Sequence, residues 1–268
     1  MGLFDFIFGS SKKEQGRPIR DKLKDRKHFE RILKARLDEI NTDKESLSEI
    51  EVHKLFICRV IAYHSMDVIQ IRYSMDGGLQ ELKGIYLDSL KYFIVGYNCN
   101  NPIYFDILNR VSLAILLNIP EESFMQLVDY VQRMDEQAKP SDWTPDLLLW
   151  FLLNSRLKDD EEKTHAQRLA FPRLYRGLYK VIQAPNGETA KKALMEYIGK
   201  WYGLNKDAPW YNNHLRGTYR GYWAWEVAAV AKIMHIDDSE LKDNPYYPYD
   251  MVHWEDGGEE NAGQADKE

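Results

Sequence analysis

Residues 47–97 read LSEIEVHKLFICRVIAYHSMDVIQIRYSMDGGLQELKGIYLDSLKYFIVGY. Apolar or small side chains recur every three or four positions, at Leu55, Ile57, Cys58, Ile61, Ala62, Ser65, Val68, Ile69 and Tyr73. At 3.6 residues per turn, that spacing collects them on one face of a helix. Gly77-Gly78 then stops the pattern, because paired glycines favour the turn that ends a helix. It resumes at Leu79 and runs through Leu82, Tyr86, Leu90, Phe93, Ile94 and Tyr97. The stretch predicts two helices separated by a glycine turn.

The same period extends in both directions. Phe29, Ile32, Leu33, Leu37 and Ile40 form a helical stripe within a basic run; Lys12–Arg36 holds eleven Lys and Arg against four Asp and Glu. That run reads as a solvated helix face. Three further helix starts are signalled by Asn101-Pro102, Ile119-Pro120-Glu121-Glu122 and Thr144-Pro145-Asp146, where proline fits the first turn and acid suits the positive end of the helix dipole. Gln167–Gln183 and Glu188–Trp201 read as helices around the turn Ala184-Pro185-Asn186-Gly187, and Thr218–His235 reads as another. No run alternates apolar and polar residues between turn signals, so the class is all-α. The polar stretch Met134–Asp142 divides two consecutive helical bundles packed together, an N-terminal domain of residues 17–134 and a C-terminal domain of residues 142–254.

The chain has 268 residues, 44% hydrophobic and 29% charged, which suffices for one sizeable core or two small ones. Its net charge of −6 argues against gripping phosphate backbones and points to neutral or basic partners. The charge is uneven, since Asp237–Glu268 carries eleven acids and two bases. The end of that stretch, residues 255–268, is acidic and nearly free of apolar side chains, and is expected to be a disordered tail. Two cysteines, Cys58 and Cys99, read as reduced, buried thiols rather than a disulfide framework. No run reaches the roughly 18 apolar residues of a membrane span. Met1–Phe8 is apolar but lacks a basic lead and a small-residue cleavage site, and Phe6 stands where an acylation motif wants Ser or Thr. A docked terminus and a cytoplasmic protein are expected.

Few residues suggest catalysis. Seven scattered histidines form no His-Glu-x-x-His pair, and no glycine-rich phosphate loop or nucleophile elbow occurs. Cys58 sits in an apolar mid-helix setting that favours the core over a nucleophile. Asp76 followed by Glu81-x-Lys83 has the spacing of metal-dependent nucleases, in which acids hold a divalent ion and lysine polarises the phosphate. Such a site needs adjacent strands, whereas these residues open a helix. Neither a metal nor a cofactor is expected.

The aromatic density of Trp201, Tyr202, Trp210, Tyr211, Tyr219, Tyr222, Trp223 and Trp225 stands out. It leads into Val227–Ala231, small residues that let a neighbouring helix approach closely. Glu226 in this setting reads as a buried anchor bonded to Tyr, Trp or Arg donors, with Arg173, Arg176 and Arg216 as partners, in preference to a catalytic acid. Downstream, Pro245-Tyr246-Tyr247-Pro248-Tyr249-Asp250 reads as a rigid aromatic strap with its hydroxyls outward.

These residues carry a resemblance. The Gly221-Tyr222-Trp223-x-x-Glu226 core, then Ile236-Asp237-Asp238, then Tyr246-Tyr247-Pro248-Tyr249-Asp250 resemble the C-terminal domain of the PoNe immunity proteins, the PoNi family. The long helix ending at Tyr73-Ser74 and the Gly77-Gly78 turn before Leu79 are similar to that family's N-terminal domain, and together the two matches span roughly residues 17 to 254. The resemblance implies a non-enzymatic antitoxin that binds and neutralises a cognate PoNe-type DNase toxin, delivered between bacteria by a type VI secretion system. An acidic surface suits a DNase, which must be basic where it meets DNA. By charge, the interface candidates are Asp159, Asp160, Glu161, Glu162, Asp237, Asp238, Glu240 and Asp243, while Gly221, Tyr222, Trp223, Glu226, Tyr246, Tyr247, Pro248 and Asp250 are assigned to holding the domain together. The alternatives are a metal-dependent nuclease using Asp76, Glu81 and Lys83, and a helical scaffold that self-associates. Nucleic acid and membrane are not expected partners.

Overall fold

The computed structural model describes residues 19–47, 53–97, 103–137, 143–158, 162 and 166–255. The expected docked terminus, Cys99, the Asn101-Pro102 start, the link at 138–142 and the tail beyond residue 255 lie outside the described residues. Within them the chain is all-α, and the ladder of strands is replaced by one isolated bridge between Asp146 and Arg168. Five helices make the first bundle: α1 Arg26–Ser46, α2 Lys54–Met75, α3 Leu79–Gly96, α4 Tyr104–Leu116 and α5 Glu121–Gln137. Five make the second: α6 Leu147–Asn154, α7 Pro172–Ile182, α8 Gly187–Leu204, α9 Trp225–Ile233 and the single turn α10 Tyr249–Val252.

Local chemistry explains several ends. Asp25 accepts the His28 amide at 2.9 Å to cap α1, Asp146 accepts the Leu149 amide at 2.8 Å to cap α6, and Asn186 accepts the Thr189 amide at 2.9 Å to cap α8. Asp146 is thus the cap before the first turn and not an acid within it. At the α2–α3 turn the Gly77 amide bonds the Arg72 carbonyl at 2.8 Å, and a Cβ there would lie 2.9 Å from that same oxygen. Gly96 serves a different purpose: α3 comes so close to α2 that a Cβ would sit 2.3 Å from the Arg59 amide nitrogen.

The two bundles share one continuous core. The α1 stripe of Phe29, Ile32, Leu33, Leu37 and Ile40 is buried against α2. Between the bundles α9 packs on α4, and its Ala228, Ala229 and Ala231 let the axes approach. Lys232 locks this contact, since its ammonium donates to the Leu116, Met251 and Trp254 carbonyls at 3.0–3.1 Å. Desolvation lowers its pKa to about 8.

Two expected helices are shorter than their periodicity suggests. Gln167–Gln183 becomes helical only at Pro172, because the preceding residues pair with the α6 cap: the Leu147 amide bonds the Arg168 carbonyl at 3.1 Å, and the Ala170 amide bonds the Asp146 carboxylate at 2.6 Å. Thr218–His235 becomes helical only at Trp225. Residues 218–224 run without helix because the Tyr219, Arg220 and Gly221 carbonyls bond to the first bundle and the Ala224 amide to the Tyr246 carbonyl.

Candidate functional site

The stretch 217–224 is a strap laid over α1 and the end of α2. The His28 imidazole donates to the Tyr219 carbonyl at 2.8 Å, Arg31 to the Gly217 carbonyl at 2.8 Å, Ser74 to the Arg220 carbonyl at 2.6 Å, and Gln70 to the Gly221 carbonyl at 2.7 Å. Trp223 returns a bond from its indole N–H to the Ser74 hydroxyl at 2.8 Å. Gly221 makes this possible. Its φ is +121°, and a Cβ would stand 2.1 Å from the Ser74 hydroxyl oxygen.

The same seam continues beyond α9. Asp250 accepts from Arg20 at 2.8 Å and from the buried Tyr73 hydroxyl, while Arg20 stacks over the Tyr73 ring. The Tyr219 hydroxyl donates to the buried Asp21 carboxylate. Arg220 pairs with Asp67, a buried acid of α2 that Arg36 also reaches at 2.9 Å. Desolvation raises the Asp67 pKa to about 6 against the pull of both arginines.

Between the bundles lies a cleft of about 730 Å³. Tyr63, Ile103 and Phe105 line it from the first bundle and are exposed, whereas Tyr175, Trp201, Tyr222, Trp225 and Glu226 line it from the second and are buried. Trp210 stacks on Trp201 with centroids 5.4 Å apart. Glu226 accepts the Trp201 indole N–H at 2.7 Å. None of the expected arginine partners bonds it among the described residues: burial pushes its pKa up to about 7, opposed by that indole bond and its own backbone amide. Arg173 pairs instead with Asp207 at 2.8 Å.

Residues 20–129 match the model of the PoNe immunity protein (PoNi) N-terminal domain, and residues 144–251 match that of the PoNi C-terminal domain. The chain belongs to the PoNi family. Its role is that of an immunity protein, and such a role implies a protein toxin as partner. Among solved structures it is similar to protein PA2201 from Pseudomonas aeruginosa, with a TM-score of 0.71 and 16% identity over 93% of this chain and 95% of that one, a likeness of fold. No curated protein matches it.

The structure divides the acids assigned to the PoNi interface. Asp237, Glu240 and Asp243 are exposed, and Lys191 bridges the first two at 2.7 and 2.9 Å. Asp238 is a correction: it is 1% exposed and accepts from the Tyr247 hydroxyl at 2.7 Å and the His253 imidazole at 2.8 Å. The Tyr247 hydroxyl accordingly points inward, against the expectation of an outward strap. Glu162 is exposed, while Asp159, Asp160 and Glu161 lie outside the described residues.

Asp76, Glu81 and Lys83 are committed to different partners in this PoNi protein. Arg26 holds Asp76 at 3.0 and 3.2 Å, Arg72 holds Glu81 at 2.7 and 2.8 Å, and Lys83 donates to the Asn118 carbonyl at 2.9 Å. Those bonds tie helix turns to helix ends. Among the described residues no three His, Cys, Asp or Glu side chains come together as a metal site, and no helix is long and apolar enough to cross a membrane. Cys58 is buried, and desolvation raises its thiol pKa.

Arg110 was not singled out by sequence. It is 1% exposed, donates to the Ser89 hydroxyl and the Ala62 carbonyl at 2.9 Å, and lies 4.5 Å from the Phe93 ring centroid. The signal was available as a lone arginine in the apolar run Tyr104–Leu116.

Proposed function

We propose that this immunity protein binds a cognate PoNe-type DNase in the cytoplasm of the producing cell and blocks it, the toxin being one delivered by type VI secretion. The match to both PoNi domains carries this reading. The net charge of −6 supports it, because a DNase is basic where it meets DNA and an acidic partner gains association rate from that charge. The bundles of residues 17–134 and 142–254 act as one body, and exposed Asp237, Glu240 and Asp243 contribute to the field that the toxin meets. No enzymatic step is assigned to the chain.

The test is co-expression with a PoNe-type DNase toxin, sought first in the genes adjacent to this one. Protected growth and a stable complex of the two purified proteins are expected. Unprotected cells, with no complex detected, overturn the reading. The nuclease alternative has its own check: metal-stimulated DNA cleavage by the purified protein, lost in Glu81→Ala, is its signature.

A further inference from the structure

The cleft between the bundles ends on a carboxylate that the fold leaves without a counter-charge. Other charged groups lining it have an opposite charge at hand: Arg220 has Asp67, Arg173 has Asp207, and Arg110 lies in the field of Asp106. Glu226 has the Trp201 indole N–H and its own amide, and no lysine or arginine among the described residues acts on it. From the surrounding elements it faces Tyr104 of α4, Tyr175 of α7, and Tyr197 and Trp201 of α8. These are aromatic or neutral donors.

A desolvated carboxylate inside an aromatic enclosure recognises an ammonium or guanidinium group, because ring faces attract the cation and the acid supplies the opposite charge. The stacked Trp201 and Trp210 rings and Tyr222 form such an enclosure here. The mouth indicates the source of the cation. Tyr63, Ile103 and Phe105 expose 41%, 37% and 40% of their surface at the rim, an apolar collar that a protein partner covers and a free small cation leaves wet.

We propose that the cleft receives an arginine or lysine side chain of the toxin, its cationic head bonded to Glu226 and set against the aromatic wall that Trp210 and Tyr222 form. This rests on the immunity reading and adds the point of entry. Ion pairing needs Glu226 ionised, so binding weakens as pH falls through about 7. The facing tyrosines stay neutral throughout, since burial raises their pKa.

The experiment measures the affinity of the full-length immunity protein for the PoNe-type toxin against which it protects in co-expression, at pH 8 and pH 6. Glu226→Gln keeps an acceptor for Trp201 and is expected to bind at least about tenfold more weakly at pH 8. The unsubstituted protein should lose about tenfold between pH 8 and pH 6 relative to that variant. Phe105→Arg, which replaces a rim ring packed on Phe171 and Tyr104 by a charge, tests the cleft mouth and should weaken binding by a similar factor, with an unchanged circular-dichroism melt as the check that the fold survives. Undiminished affinity in both variants overturns the proposal while leaving the immunity reading intact. Agmatine is the second probe: if it quenches tryptophan fluorescence through Glu226 while toxin binding ignores both substitutions, the cleft serves a free cation and the proposal fails. Absence of any complex with the unsubstituted protein overturns both readings together.

Discussion

The strap of residues 217–224 and the acidic turn of residues 237–243 both belong to the second bundle, but they are held by opposite means. Strap carbonyls accept from His28, Arg31, Gln70 and Ser74 of the first bundle, so its shape depends on the other half of the molecule. Exposed Asp237 and Glu240 pair with Lys191, a neighbour within their own bundle, and Asp237 also accepts the Ser239 amide at 3.2 Å. Surface pairs of that kind add little to stability, whereas bonds that satisfy buried backbone groups are costly to lose. The lesson is that the aromatic, glycine-bearing stretch builds the seam, whereas the residues most suggestive by charge stand in exposed pairs.

Breaking the strap should have the largest effect. Gly221→Ala places a Cβ into the Ser74 hydroxyl at a φ that only glycine adopts without strain, and is expected to cost roughly 3–5 kcal/mol in chemical denaturation. A cost under about 1 kcal/mol would show that the strap can detach without loss. Glu226→Gln comes next, with the opposite sign. The Glu226 pKa is raised from 4.5 to about 7 on folding, so the native state holds the proton more tightly and stability falls as pH rises through that window. The difference at pH 8 is about 3 kcal/mol at 1.36 kcal/mol per unit, and the Gln variant should remove it. Urea melts from pH 4 to pH 8 that stay parallel for the two proteins would contradict this.

Adjacent aspartates sharpen the comparison further. Asp238→Ala strands the buried Tyr247 hydroxyl and should cost about 2–3 kcal/mol, while Asp237→Ala should leave the thermal midpoint unmoved. Equal midpoints for the two variants would refute the division between seam and surface. The smallest effect is kinetic: Lys191→Met removes the base that offsets Asp237 and Glu240, and should speed association with a basic toxin roughly twofold at low salt without changing the melting temperature.

Much of the fold was legible because helical periodicity is a local property. The α2–α3 pair, the Gly77-Gly78 turn and the starts marked by Pro120 and Pro145 could be read from spacing alone. The strap could not. Tyr219, Tyr222 and Trp223 keep helical spacing, but their backbone finds better partners on α1 and α2, and only Gly221 hinted that the chain would leave the helical region. Asp238 misled for a related reason: sequence shows its acidic neighbours but not the tyrosine and histidine that fold over it. Glu226 was recognised as an odd member of an apolar helix, yet its lack of a basic partner depends on three helices meeting around it. Arg110 and Lys232 were hidden because long side chains reach carbonyls far away in sequence.

An acidic helical protein that works by occupying a basic enzyme should inhibit it in a one-to-one ratio. The most direct measurement titrates the purified immunity protein into a DNA-cleavage assay of the PoNe-type toxin it protects against. Cleavage should fall to background at one equivalent, with Asp237→Ala as effective as the unsubstituted chain and Glu226→Gln requiring an excess. Cleavage that continues undiminished at many equivalents, with no complex on a sizing column, would contradict it.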